Sequence, residues 1–148
     1  THVAHDCEIG NSTIFGNGAT LGGHVKVADH ATISAYSGVH QFSRIGVYAF
    51  IGGYTVVTKD VLPFSKTVGN RACLFGANTI GLERRGFGKD RIESVRSAFR
   101  ILQQPNLNVS QALAQLEQSD NEDVRTLVEF IRSSERGVIV KRGRGDTT

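Results

Sequence analysis

A large apolar residue recurs at every sixth position from Val3 to Val57, and no other feature of this 148-residue chain restricts its fold so severely. The column reads Val3, Ile9, Phe15, Leu21, Val27, Ile33, Val39, Ile45, Ile51 and Val57. A period of six fits neither an amphipathic helix, whose period is about 3.6, nor an alternating strand, whose period is about two. It fits a short flat strand followed by a tight turn. Three such units close a triangular coil of about eighteen residues, and coils stack about 4.8 Å apart through parallel pairing. The residue after each apolar one is mostly small (Ala4, Gly10, Gly16, Gly22), and glycine is expected there so that the corners can turn. The reading is a parallel β-helix of about three and a third coils.

The first coil begins without cover, and an open end is a liability in a stacked architecture. The chain contains no methionine and opens in mid-pattern. A processed, tagged or truncated product is expected, with an amino-terminal part missing or another chain covering this end.

The hexads stop near Pro63, which cannot donate to a strand ladder. Residues 65–88 are glycine-rich and read as an irregular connector. From Lys89 the period becomes helical, with Ile92, Val95, Ala98-Phe99 and Leu102 on one face and Pro105 ending the helix. Ser110 is expected to cap a second helix, and Asp120 a third carrying Val124, Leu127-Val128 and Ile131. The divisions expected are 1–64 (β-helix), 65–88 (connector), 89–140 (helical domain) and 141–148 (disordered basic tail).

Composition narrows the class. A net charge of +3 is modest, and basic and aromatic residues do not interleave as a nucleic-acid surface requires. No apolar run is long enough to span a membrane, and no secretory leader pattern is present. Cys7 and Cys73 lack metal or disulfide spacing, which suits a reducing cytoplasm.

The histidines carry the chemical signal. His5 is third in its hexad; eighteen residues on stands Gly23, and eighteen further Gln41, so these three should stack on one side of the prism. His24 lies beside Gly23, and His40 beside Gln41. Imidazoles beside a glycine backbone suit acyl transfer: histidine takes a hydroxyl proton near neutral pH, and an N–H that can be closely approached stabilises an oxyanion. His30 has no such support and reads as a surface residue.

Two segments, His2-Val3-Ala4-His5-Asp6-Cys7 and Gly81-Leu82-Glu83-Arg84-Arg85-Gly86-Phe87, resemble the UDP-N-acetylglucosamine O-acyltransferases of lipid A synthesis. Gly22-Gly23-His24-Val25, Val39-His40-Gln41-Phe42 and Gly69-Asn70 match the same pattern. The resemblance runs to about residue 140 and covers the carboxyl-terminal half of such an enzyme. It implies a left-handed β-helix followed by helices, a homotrimer with active sites between subunits, no cofactor, and no metal. It also implies transfer of a 3-hydroxyacyl group from acyl carrier protein to the sugar 3-hydroxyl. By the same resemblance His5 is the general base, Asp6 its partner and Gly23 the oxyanion donor. His2, His24, His40 and Gln41 match substrate-contacting positions. Asn78, Arg84 and Arg85 match positions near the nucleotide sugar, and Gly53 one that admits a longer acyl chain. Ile80 departs from the pattern, which has an acidic residue there. Three other readings stand beside this one: a non-catalytic trimerising or UDP-sugar-binding module, a zinc enzyme using His24, His30 and His40, and a related N-acyltransferase. The Arg84-Arg85-Gly86-Phe87 segment favours O-acylation over the last.

Overall fold

A computed structural model of the chain describes residues 1–143. Ten two-residue strands, β1 (His2–Val3), β2 (Glu8–Ile9), β3 (Ile14–Phe15), β4 (Thr20–Leu21), β5 (Lys26–Val27), β6 (Thr32–Ile33), β7 (Gly38–Val39), β8 (Arg44–Ile45), β9 (Phe50–Ile51) and β10 (Val56–Val57), follow the hexads. Each pairs in parallel with the strand eighteen residues away, as in His2 with Thr20 and Lys26 with Arg44. Three sheets result: β1-β4-β7-β10, β2-β5-β8 and a third containing β3-β6-β9. The expected solenoid is therefore the fold.

The apolar column fills the interior. Leu21, Ile33 and Ile51 are wholly buried, whereas Val3 and Ile9 in the first coil are 43% and 39% exposed. Each corner takes one residue in the left-handed region, and in the first three coils these are Asp6, Ser12, Gly18, His24, His30, Tyr36, Phe42, Tyr48 and Tyr54. Only Gly18 among them is glycine, so the expectation that glycine turns the corners is corrected. Such a conformation costs a non-glycine residue about 1–2 kcal/mol, which the stacked coils must offset. The glycines after the strands serve another purpose. A Cβ on Gly22 would lie 2.7 Å from the backbone nitrogen of Gln41, and one on Gly46 would overlap Pro63. They are needed for one coil to seat on the next.

The exit from the solenoid departs from the eighteen-residue step. Val61 bridges Ile45, sixteen residues away, because the position eighteen on is Pro63, which has no N–H. The buried Asp60 carboxylate accepts from the Arg44 N–H at 2.8 Å and from the Ser134 hydroxyl at 2.6 Å. The shortened coil lets β11 (Ser65–Val68) continue the third sheet, pairing in parallel with β9 and antiparallel with β12 (Cys73–Ala77). Residues 65–88, expected as an irregular connector, thus contain a hairpin and a short helix, α1 (Thr79–Arg84).

Beyond them α2 (Lys89–Leu102), α3 (Val109–Leu116) and α4 (Glu122–Arg132) build a second core around Phe99, Leu116 and Leu127, contiguous with Leu62 and Phe64. The helix caps differ from those expected. Asn108 closes a capping box with Gln111 in place of Ser110, and the Asn121 side chain accepts from Asp123 and Val124 in place of Asp120. Asparagine accepts from the first-turn N–H groups as well as serine or aspartate does, and each sits at the last extended residue. The tail expected to be disordered is partly paired, since Arg142 bridges Leu74; the rest of that tail, 144–148, lies outside the described residues. No helix among the described residues is long and apolar enough to cross a membrane.

Candidate functional site

The corner between the first and second sheets carries the densest polar chemistry. It is a ladder: His24 N–H donates to the His5 carbonyl, and Phe42 N–H to the Gly23 carbonyl, both at 3.0 Å. Residues 5, 23 and 41 therefore stack as their spacing predicts. His5 Nδ1 lies 2.9 Å from Asp6 Oδ2, and His24 Nε2 lies 3.6 Å from the same oxygen. The hydrogen bond from His5, then the charge of His24, hold the Asp6 carboxyl below its ordinary value of 3.8. An ionised carboxylate only accepts, so His5 Nδ1 donates to it, and in the neutral ring the lone pair is then on Nε2.

Gly23 makes room for that ring. A Cβ there would lie 2.8 Å from both Cε1 and Nε2 of His5. The Gly23 N–H has no acceptor among the described residues, a property of the repeating corner shared by Ala35 and Gln41. The His24 ring meets the His5 ring edge-on at 5.1 Å and stacks on Phe42 at 4.8 Å, which fixes its direction. His40 and Gln41 are exposed on the same corner, and His2 is exposed on the adjoining β1.

Asn78, Arg84 and Arg85 stand elsewhere. They line a cavity of about 780 Å³ between α1 and the third sheet, with His30, Tyr48 and Lys66 also in its wall. Arg85 Nη1 lies 3.0 Å from His30 Nδ1, and the His30 ring stacks on Tyr48 at 4.7 Å. His30, expected as an unassigned surface residue, is half-buried and holds an arginine. The clue available was the ladder itself, since His30 plus eighteen is an aromatic. Asn78 caps α1, accepting from Gly81 N–H at 3.3 Å, and its Nδ2 donates to the Tyr48 carbonyl at 3.2 Å. Its side chain thus ties α1 to the solenoid. Ile80 is largely exposed at the rim of this cavity. Gly53 sits on the third corner, where a Cβ would meet only the Ala35 carbonyl at 3.4 Å, so the fold itself tolerates a side chain there.

A family model described as UDP N-acetylglucosamine O-acyltransferase, domain 2, matches residues 60–139. The chain belongs to the UDP N-acetylglucosamine O-acyltransferase family. An acyl-(acyl-carrier-protein)–UDP-N-acetylglucosamine O-acyltransferase of Fusobacterium nucleatum is 60% identical over 139 residues, covering 93% of this chain and 54% of the relative. The UDP-N-acetylglucosamine acyltransferase structure from Bacteroides fragilis superposes with a TM-score of 0.89 at 40% identity, covering 93% of this chain and 55% of that one. The Francisella novicida structure gives 0.89 at 33% identity, with 97% and 53% covered. The chain spans about half the length of the curated relatives it matches. Within the family match lie Asn78, Arg84 and Arg85; the His5 corner precedes it, inside the solenoid that the relatives share.

Proposed function

We propose that this chain supplies the carboxyl-terminal half of an acyltransferase site, which moves a 3-hydroxyacyl group from acyl carrier protein to the 3-hydroxyl of UDP-N-acetylglucosamine. The observation that carries this reading is the His5 ring, held by Asp6 through Nδ1 with Nε2 beside the Gly23 backbone. Nε2 takes the hydroxyl proton while the sugar oxygen bonds to the thioester carbonyl carbon. The carbonyl oxygen gains the charge and is held by the Gly23 N–H. Collapse of that intermediate breaks the C–S bond, and the departing thiolate takes the proton back from His5. Asp6 steadies the imidazolium formed in between.

His2, His24, His40 and Gln41 line the same side and are assigned to substrate contact. Arg84 and Arg85 are assigned to the diphosphate, for which a planar cationic fork is suited. These arginines open on a different corner from His5, so the arginines and the imidazoles that serve one substrate come from different copies in a homotrimer. Gly53, open on the third corner, is assigned to the end of the acyl chain. The test is acyl transfer from acyl carrier protein to UDP-N-acetylglucosamine, measured with His5→Ala in the protein that carries these residues. Full activity in that variant would remove His5 as the base.

The separation of the two clusters also supports a second reading, a UDP-sugar-binding fragment without turnover. Binding of the nucleotide sugar by this chain, with no acyl product at any enzyme concentration, would favour it.

A further inference from the structure

The first corner also brings three metal-ligating atoms together. His5 Nδ1, Asp6 Oδ2 and His24 Nε2 all lie within 4.8 Å of one another. Donors around a tetrahedral zinc ion, with bonds of about 2.0–2.1 Å, stand about 3.3–3.4 Å apart. The separations of 2.9 Å (His5 to Asp6) and 3.6 Å (His24 to Asp6) bracket that figure. The three side chains are exposed, which leaves the remaining position to water. Two imidazoles and one carboxylate are the donor set that selects zinc-class ions over magnesium or calcium.

The donors are also held in place before any ion arrives. Asp6 is fixed at a left-handed corner with φ of 59°, and the His24 ring is stacked on Phe42.

We propose that this corner binds one divalent transition-metal ion of the zinc class through His5 Nδ1, Asp6 Oδ2 and His24 Nε2, and that the bound ion switches off the His5 base. The switch follows from the tautomer. Without metal, the neutral His5 ring that faces the Asp6 carboxylate through Nδ1 carries its proton there and its lone pair on Nε2. An ion that takes the Nδ1 lone pair leaves the proton on Nε2, the change running through solvent with no net proton gained or lost. Nε2 then donates and cannot accept the hydroxyl proton. Binding itself is independent of the function proposed above; only the inhibition rests on it. The set differs from His24, His30 and His40, because His30 stands on the second corner.

Calorimetric titration of the chain with Zn²⁺ alone tests the site, with Co²⁺ absorption as a spectroscopic check on donor geometry. One saturable equivalent per chain is expected, weakened in His24→Ala and in Asp6→Asn by at least the roughly 10–100-fold that loss of an outer-shell partner costs, and unchanged by His30→Ala. Circular dichroism checks that the variants fold; should His24→Ala not fold, Asp6→Asn, which suits the left-handed corner, decides alone. On binding, the His5 ¹⁵N resonances should move from the Nδ1–H to the Nε2–H pattern. No saturable binding, or equal binding in both variants, would overturn the site. Unimpaired acyl transfer with zinc bound would overturn the switch and leave the site standing, whereas loss of the zinc site would leave the acyl-transfer reading untouched.

Discussion

The first and second corners of the solenoid are the same backbone device put to different uses. Each stacks a left-handed histidine on the aromatic one coil above, His24 on Phe42 at 4.8 Å and His30 on Tyr48 at 4.7 Å. At the first corner the rung below is Asp6, so the imidazole faces an anion and a second histidine. At the second, α1 brings in Arg85 from 55 residues away, so the imidazole accepts from a cation. The ladder sets where a ring stands; the neighbouring rung, or a segment outside the repeat, sets whether it faces an anion or a cation. One corner thereby gathers two imidazoles around a carboxylate, and the other sets a guanidinium against an imidazole.

The largest effect expected to separate them is at His5. His5→Ala should lower kcat of acyl transfer by about 10²–10⁴-fold with little change in KM for the nucleotide sugar. Gly23→Ala should follow, at about 10²–10³-fold, because its Cβ displaces the His5 ring as well as crowding the oxyanion donor. The second corner should show the opposite split. Arg85→Ala should raise KM for UDP-N-acetylglucosamine by about 10–100-fold, equivalent to about 1.5–3 kcal/mol for a charge-assisted bond, and leave kcat nearly unchanged. A kcat loss there equal to that in His5→Ala would erase the distinction between the corners.

The smallest effect is a titration. Asp6 has its carboxyl lowered by His5 and then His24, so its charged form is favoured in the folded chain; that contribution is present above 3.8 and fades as pH falls through the lower folded midpoint. In His24→Ala the carboxyl ¹³C midpoint of Asp6 should move back up toward 3.8. A midpoint unaffected by that substitution would mean that His24 lies too far away to act on Asp6.

The apolar column made the solenoid legible because a parallel coil repeats one geometry every eighteen residues, and the His5, Gly23, Gln41 ladder was legible for the same reason. Features that depend on a break in the repeat were not. The sixteen-residue step from Ile45 to Val61 admits β11 to the third sheet, and no count of hexads contains it. The steric need for Gly22 and Gly46 was hidden too, since composition at a corner cannot distinguish a turning residue from one on which the next coil rests. The contact between Arg85 and His30 depends on how α1 packs, with Asn78 fastening it to the Tyr48 carbonyl. The Asp6 contact to His24 joins adjacent rungs and was within reach of the ladder, although only the His5 contact is local in sequence.

The central claim is that proton transfer and anion binding reside on different corners and meet only between copies. Co-assembly of His5→Ala subunits with Arg84→Ala/Arg85→Ala subunits tests it most directly, with acyl transfer as the readout. At UDP-N-acetylglucosamine well below the raised KM of the arginine parent, each parent should be nearly inactive, and mixed assemblies should regain a substantial fraction of activity, because some interfaces then pair an intact His5 corner with an intact arginine cavity. Mixed assemblies no more active than the average of the two parents would contradict the account.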